Sequence, residues 1–265
     1  YNVVVQDQVG NKSVYGGISQ TTAGGGDVVA PLPGSGGTVG IGAVTATSIN
    51  LNWSYASDNA TSASLLEYEV RSSLANNISG VTAAEASGVV AKVYTVNINS
   101  VTISGLIPNT YYYFTVIVKD AAQNKAAYVT VGAQTSPAFV TVWDTTQSGV
   151  TGSNQIKLPL TASGSYSFTV EWGDGATDTI TAYNQPAVTH TYPSSGTYTV
   201  VISGTIIGWS FNGGGDADKL LNVQMWGPLR LGNDSGYFYG ASNMTITASD
   251  ILDLTGTMDL SSMFD

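Results

Sequence analysis

Between Leu106 and Asp120 the chain runs Leu-Ile-Pro-Asn-Thr-Tyr-Tyr-Tyr-Phe-Thr-Val-Ile-Val-Lys-Asp, and no other stretch limits the fold so tightly. From Tyr112 the alternate residues are Phe114, Val116 and Val118, the period of two of a strand with one buried face. The same alternation returns at Ile49, Leu51 and Trp53, at Leu66, Tyr68 and Val70, and at Val101 and Ile103. A chain patterned in this way folds as layered antiparallel sheets, so a mainly β architecture is expected.

Length and charge narrow the possibilities. At 265 residues the chain is too long for one small sandwich and suits two or three domains. An apolar fraction of 43% argues against disorder. The net charge of −10, scattered along the chain, supplies no basic stripe for nucleic acid and no attraction to an anionic membrane. Cysteine is absent, which removes disulfides, thiolate metal sites and cysteine nucleophiles. No apolar run approaches the ~18 residues of a membrane span, and Tyr1-Asn2-Val3-Val4-Val5 lacks the basic start of a signal peptide.

The Leu106-x-Pro108-x-Thr110-x-Tyr112 lead-in resembles the corner of a fibronectin type III domain, where a tyrosine hydroxyl turns back onto upstream backbone. Trp53 matches that family's strand B tryptophan, and the Asp120-to-Tyr128 turn matches its closing hairpin, so the resemblance covers residues 38–136. No Arg-Gly-Asp tripeptide is present, and integrin binding is not carried over. Shifted by 113 positions, Val3, Asp7, Asn11, Lys12, Tyr15 and Thr22 fall on Val116, Asp120, Asn124, Lys125, Tyr128 and Thr135, an internal repeat. Residues 1–22 are therefore expected to be the C-terminal hairpin of a preceding domain of the same type. They belong either to a longer chain or to a strand pair that completes a neighbouring subunit. Residues 23–37, rich in Gly and Pro, are expected to be a linker, because neither a following helix nor a lysine supports a phosphate loop.

Beyond Ser136-Pro137, Trp172-Gly-Asp-Gly175 is followed by His190-Thr-Tyr192 and Gly196-Thr-Tyr-Thr-Val200. This pattern resembles the PKD type of immunoglobulin-like domain over residues 137–208, a type that serves mostly as spacer or binding module. Asp174 and His190 are the most tempting catalytic pair, since a carboxylate can orient an imidazole. No nucleophile or ligand cluster joins them, so a structural role is expected, with Asp174 capping its own turn. In residues 209–265, Phe238 and Phe264 stand 26 apart, within the leucine-rich-repeat range. After a PKD-like unit, this tail resembles the start of BspA-like leucine-rich repeats of Bacteroidetes surface proteins, with Ala241 where that family commonly has Cys. It too is expected to be cut short. The oxygen-rich run Asn212–Asp218 is a weak calcium candidate and by default a solvent-facing turn. Tyr112 and Phe238 are expected inside, with Tyr111, Tyr113, Tyr237 and Tyr239 left for an exposed, sugar-stacking face.

The expected fold class is thus mainly β: tandem immunoglobulin-like or fibronectin type III β-sandwiches followed by a leucine-rich-repeat-like segment. No catalytic, cofactor or metal residues are assigned, and no cofactor is expected. The favoured function is a non-catalytic extracellular structural or adhesive protein of a bacterial cell surface, a section of a modular stalk or filament. Its partners would be copies of itself or other surface components, with a carbohydrate or protein ligand open and with no nucleic acid or membrane insertion. The alternatives are an accessory binding module of a secreted polysaccharide- or protein-degrading enzyme and a bacteriophage fibre or decoration protein.

Overall fold

The computed structural model describes residues 3–16 and 26–265. Strands β1 (Val4–Gln6) and β2 (Lys12–Val14) form an antiparallel hairpin whose side chains are all exposed. At its tip Asp7 accepts Asn11 N–H and Asn11 Nδ2, each at 2.9 Å. The rest of the expected residue 1–22 repeat, and the linker up to residue 25, fall largely outside the described residues.

Residues 26–37 are not a free tether. Leu32 bridges Ser57, Pro31 and Gly37 are buried, and Val129 N–H donates to Gly37 O at 2.8 Å. They lead into β3 (Val39–Val44), β4 (Ser48–Trp53), β5 (Glu67–Ser73), β6 (Val89–Val96), β7 (Ser100–Ser104), β8 (Tyr111–Lys119), β9 (Lys125–Ala127) and β10 (Val131–Gln134). One sheet has the order β3-β4-β7; the other runs β10-β8-β5-β6, with β9 also on β8. Ile49, Leu51, Trp53, Tyr68, Val70, Phe114, Val116 and Val118 fill the space between them, as their alternation requires. Tyr112 accepts Ile107 N–H on its hydroxyl at 3.0 Å, the expected corner.

One strand departs from the alternation. Thr115 and Ile117, on the outer face of β8, are fully buried. Helix α1 (Val81–Ser87), in the stretch that the sequence leaves open as helix or loop, lies over that face with Ala84, and Ile78 beside it completes a small cluster with Ile117. A strand covered on both faces loses its alternating pattern.

The second unit comprises β11 (Phe139–Asp144), β12 (Gln155–Lys157), β13 (Leu160–Glu171), β14 (Thr177–Ile180), β15 (Thr189–Thr191), β16 (Thr197–Trp209), β17 (Leu220–Met225), β18 (Leu229–Arg230) and β19 (Thr245–Ile246). Its main sheet runs β14-β13-β16-β11-β17-β19, with β12 and β15 paired opposite. The sheet changes character along its length. Strands from β14 to β17 pair antiparallel, whereas β16 with β18 and β17 with β19 pair parallel. In those parallel pairs Ile206 faces Leu229 and Asn222 faces Thr245, an offset of 23 residues each. Phe211 N–H to Tyr237 O, Phe238 N–H to Met263 O and Gly240 N–H to Asp265 O continue the offset at 25 to 26. The tail is therefore a stack of coils, and Phe238 lies on Phe264 with ring centroids 5.7 Å apart.

One hydrophobic core runs from the sandwich into the coils. It includes Phe139, Trp143, Trp172 and Ile202, and also Phe211, Leu220, Trp226, Leu231, Tyr237 and Phe238, across position 208 without interruption. At the turn after β17 the backbone touches the sandwich. Gly227 has φ of +47°, and a Cβ there would lie 2.1 Å from Ala138 O, so only glycine fits.

Candidate functional site

Asp174 and His190 do converge. The tight turn after β13 presents the carboxylate and β15 presents the imidazole, with His190 Nε2 2.9 Å from Asp174 Oδ2. The ring is sandwiched rather than free: it stacks on Trp172 at 4.7 Å and 6°, and Tyr192 meets it edge-on at 4.5 Å. Side-chain exposure is 13% for His190 and 10% for Asp174. Burial raises the Asp174 carboxyl, but the hydrogen bonds from His190 and from Ala176 N–H outweigh it and hold it below the usual carboxylate value. Asp174 thus caps its own turn and fastens the histidine, and Trp172 Nε1 is taken by Asp178 at 2.8 Å. The contact ties the turn after β13 to strand β15.

The Asn212–Asp218 run faces solvent only in its first part: Asn212 to Gly215 are exposed, whereas Asp216 and Ala217 are buried. Asp216 is fully buried and accepts Lys157 N–H at 2.8 Å and Thr151 Oγ1–H at 2.7 Å. The cation in this place is the chain's own: Lys219, also fully buried, donates from Nζ to Thr151 Oγ1 at 2.8 Å, Gly152 O at 2.8 Å and Gln155 O at 2.9 Å. Its ammonium lies 3.8 Å from Asp216 Oδ1. Burial lowers the Lys219 pKa, and the Asp216 charge opposes that shift. A buried ammonium is held in place by this density of acceptors.

The exposed-tyrosine expectation also needs correction. Tyr237 is fully buried, its hydroxyl donating to the backbone of Gly232 or of Asp259, 22 residues on. Tyr113 is half-buried beside the α1 cluster. Tyr111 and Tyr239 remain exposed, but Tyr239 belongs to the coils and Tyr111 to the first sandwich. These residues do not make one sugar-binding platform.

One group escaped the sequence reading. Asp27, Asp58 and Asp120 come from the stretch before β3, the β4–β5 connection and the turn after β8, and their carboxylates gather within 4.8 Å of one another. Each is unremarkable in its own segment, and only the sandwich topology unites them.

Residues 36–131 match the fibronectin type III domain family and form such a domain. Among solved structures, the FN1–FN3 domains of chicken CNTN1 share 19% identity, with a TM-score of 0.32, over 41% of this chain and 33% of that one. The sixth fibronectin type III domain of human fibronectin type III domain containing protein 3 shares 19%, with a TM-score of 0.31, over 49% and 97%. Chitinase ChiA74 of Bacillus thuringiensis shares 21%, with a TM-score of 0.30, over 69% of this chain and 27% of its own. The chain thus spans about a third of the chicken protein's chain and about a quarter of the chitinase. No curated protein matches the chain.

Proposed function

We propose that this chain is a section of a non-catalytic extracellular protein that builds a bacterial cell-surface stalk or filament. Domains of the fibronectin type III kind are typical of modular extracellular proteins, and no described helix is long and apolar enough to cross a membrane. In this reading residues 137–208 are a PKD-like sandwich, and residues 209–265 are the first coils of a BspA-like leucine-rich array, the combination carried by Bacteroidetes surface proteins.

The observation that carries the proposal is the unbroken core between sandwich and coils. A coil stack needs its first hydrophobic face covered, and here β11 pairs β17 while β16 pairs β18, so the sandwich is that cover. The fibronectin type III domain packs onto the same body. Ala46 joins Ala138, Val140 and Val201, and Thr47 Oγ1 donates to Glu171 Oε2 at 2.8 Å. Parts joined in this way suit transmission of load better than turnover. Assembly with further copies would use open strand edges such as β6, where Val89 is 71% and Val93 65% exposed.

Negative-stain electron microscopy and concentration-dependent light scattering test this reading. Elongated particles that associate end to end or edge to edge are expected, and compact monomers persisting at high concentration refute it.

A further inference from the structure

We propose that Asp27, Asp58 and Asp120 bind a calcium ion that pins the segment entering the fibronectin type III domain onto its loops. The inference rests on the sandwich fold alone and stands or falls independently of the surface role proposed above.

Each carboxylate is held by donors that leave room for a metal. Asp27 Oδ1 takes Val29 N–H at 3.1 Å and Asn59 Nδ2 at 3.3 Å. Asp58 Oδ2 takes Ala60 N–H at 3.0 Å and Thr61 N–H at 2.7 Å. Asp120, 2% exposed, takes Asn124 N–H on one oxygen and Asn124 Nδ2 on the other, both at 2.8 Å. That leaves Asp27 Oδ2 and Asp58 Oδ1, which are shielded from solvent on otherwise half-buried side chains and accept no hydrogen bond among the described residues. A buried carboxylate oxygen without a donor is among the costlier things a fold can contain, and two of them beside a third carboxylate call for a cation.

The protein does not supply that cation. None of its ion pairs involves these three residues among the described ones, and the undescribed residues contain no lysine or arginine. All the offered ligands are oxygens, with neither sulfur nor imidazole, which selects a hard ion. Their irregular origin in three loops suits the flexible shell of calcium better than the strict octahedron of magnesium.

The internal repeat supplies a control. Asp7 sits in the same turn as Asp120, capped by Asn11 in the same way, yet it is exposed and belongs to no carboxylate group among the described residues. The turn alone does not make the site. The site arises where Asp27 arrives, and Asn124 Nδ2 also holds Asp27 O at 3.0 Å, so the ion would complete an attachment that the backbone has begun.

The test is isothermal titration of the EDTA-treated full chain with calcium chloride and with magnesium chloride, beside thermal melts with and without each salt. One calcium per chain is expected, with Kd on the order of 10⁻⁴ M, and a raised Tm in calcium. Asp27→Asn, outside the sandwich core, is expected to weaken binding roughly tenfold or more through the lost ligand charge, while Tm in EDTA stays level or rises because one of three clustered charges is gone. Asp7→Asn is expected to bind as the parent does. No calcium binding, equal binding by Asp27→Asn and the parent, or magnesium bound as tightly as calcium would each overturn the assignment.

Discussion

Replacing Lys219 by methionine removes an ammonium that the fold has enclosed completely. Methionine fills similar volume, so the change isolates charge and hydrogen bonding. Four acceptors face Nζ, namely Thr151 O, Thr151 Oγ1, Gly152 O and Gln155 O, and Asp216 Oδ1 stands 3.8 Å away. At an effective dielectric of about 20, the gross attraction across that distance is ~4 kcal/mol. Breaking a buried pair by removing one partner costs about 3–5 kcal/mol, because the remaining charge is left without compensation. At an m-value of about 2 kcal/mol per M, the urea midpoint should drop by roughly 2 M. The fluorescence of Trp143, Trp172, Trp209 and Trp226, all buried in the same core, follows the transition, and a Trp53→Phe background removes the signal of the first sandwich. Asp216→Asn combined with Lys219→Met should recover part of the loss, with a coupling of about 1–3 kcal/mol. A single-variant cost under about 1 kcal/mol, or strict additivity in the double variant, would refute the claim that the Lys219 ammonium is a buried charge held by these acceptors and coupled to Asp216.

Two further outcomes follow from the geometry. The Asp174 carboxyl titrates below its unfolded value of 3.8, so its contribution is present above that pH and is lost as pH falls through the lower, folded value. Asp174→Asn should therefore flatten the acid limb of a stability-against-pH curve measured by urea titration, and an unchanged limb would show that the contact with His190 contributes nothing. Gly227→Ala places a Cβ against Ala138 O at a positive φ and should cost about 1–3 kcal/mol, and an unchanged melting temperature would contradict the close approach of coil and sandwich.

Much of the first sandwich was legible because its information is local. Alternation marks the inward face of β4, β5 and β8, and the Leu-x-Pro-x-Thr-x-Tyr spacing marks a hydroxyl-to-backbone contact that the structure contains. The spacing of Phe238 and Phe264 was legible too, and it becomes a ring stack. What escaped was whatever depends on a second segment arriving. Ile117 lies on the solvent side by pattern and is buried because α1 covers it. Tyr237 lies in an aromatic run that looks exposed and is enclosed by the next coil. Asp216 resembles a cation ligand, and the cation proves to be a lysine three residues on. Asp27, Asp58 and Asp120 carry no shared motif, since they lie 31 and 62 positions apart and only strand order joins them.

The strand Thr197–Trp209 bears on how such a chain acquires its shape. Its first half pairs antiparallel with β11 and its far half pairs antiparallel with β13, and there Ile206 and Ile207 also face a parallel partner 23 residues on. Parallel pairing is ordinarily slow to begin, because a long loop must close before any contact rewards it. Here one side of that first pair is a strand that β13 also holds, so a sandwich formed first would act as a seed crystal. Growth from such a seed would have one starting point and one direction, and the alignment of each later turn would be inherited from the one laid down before it.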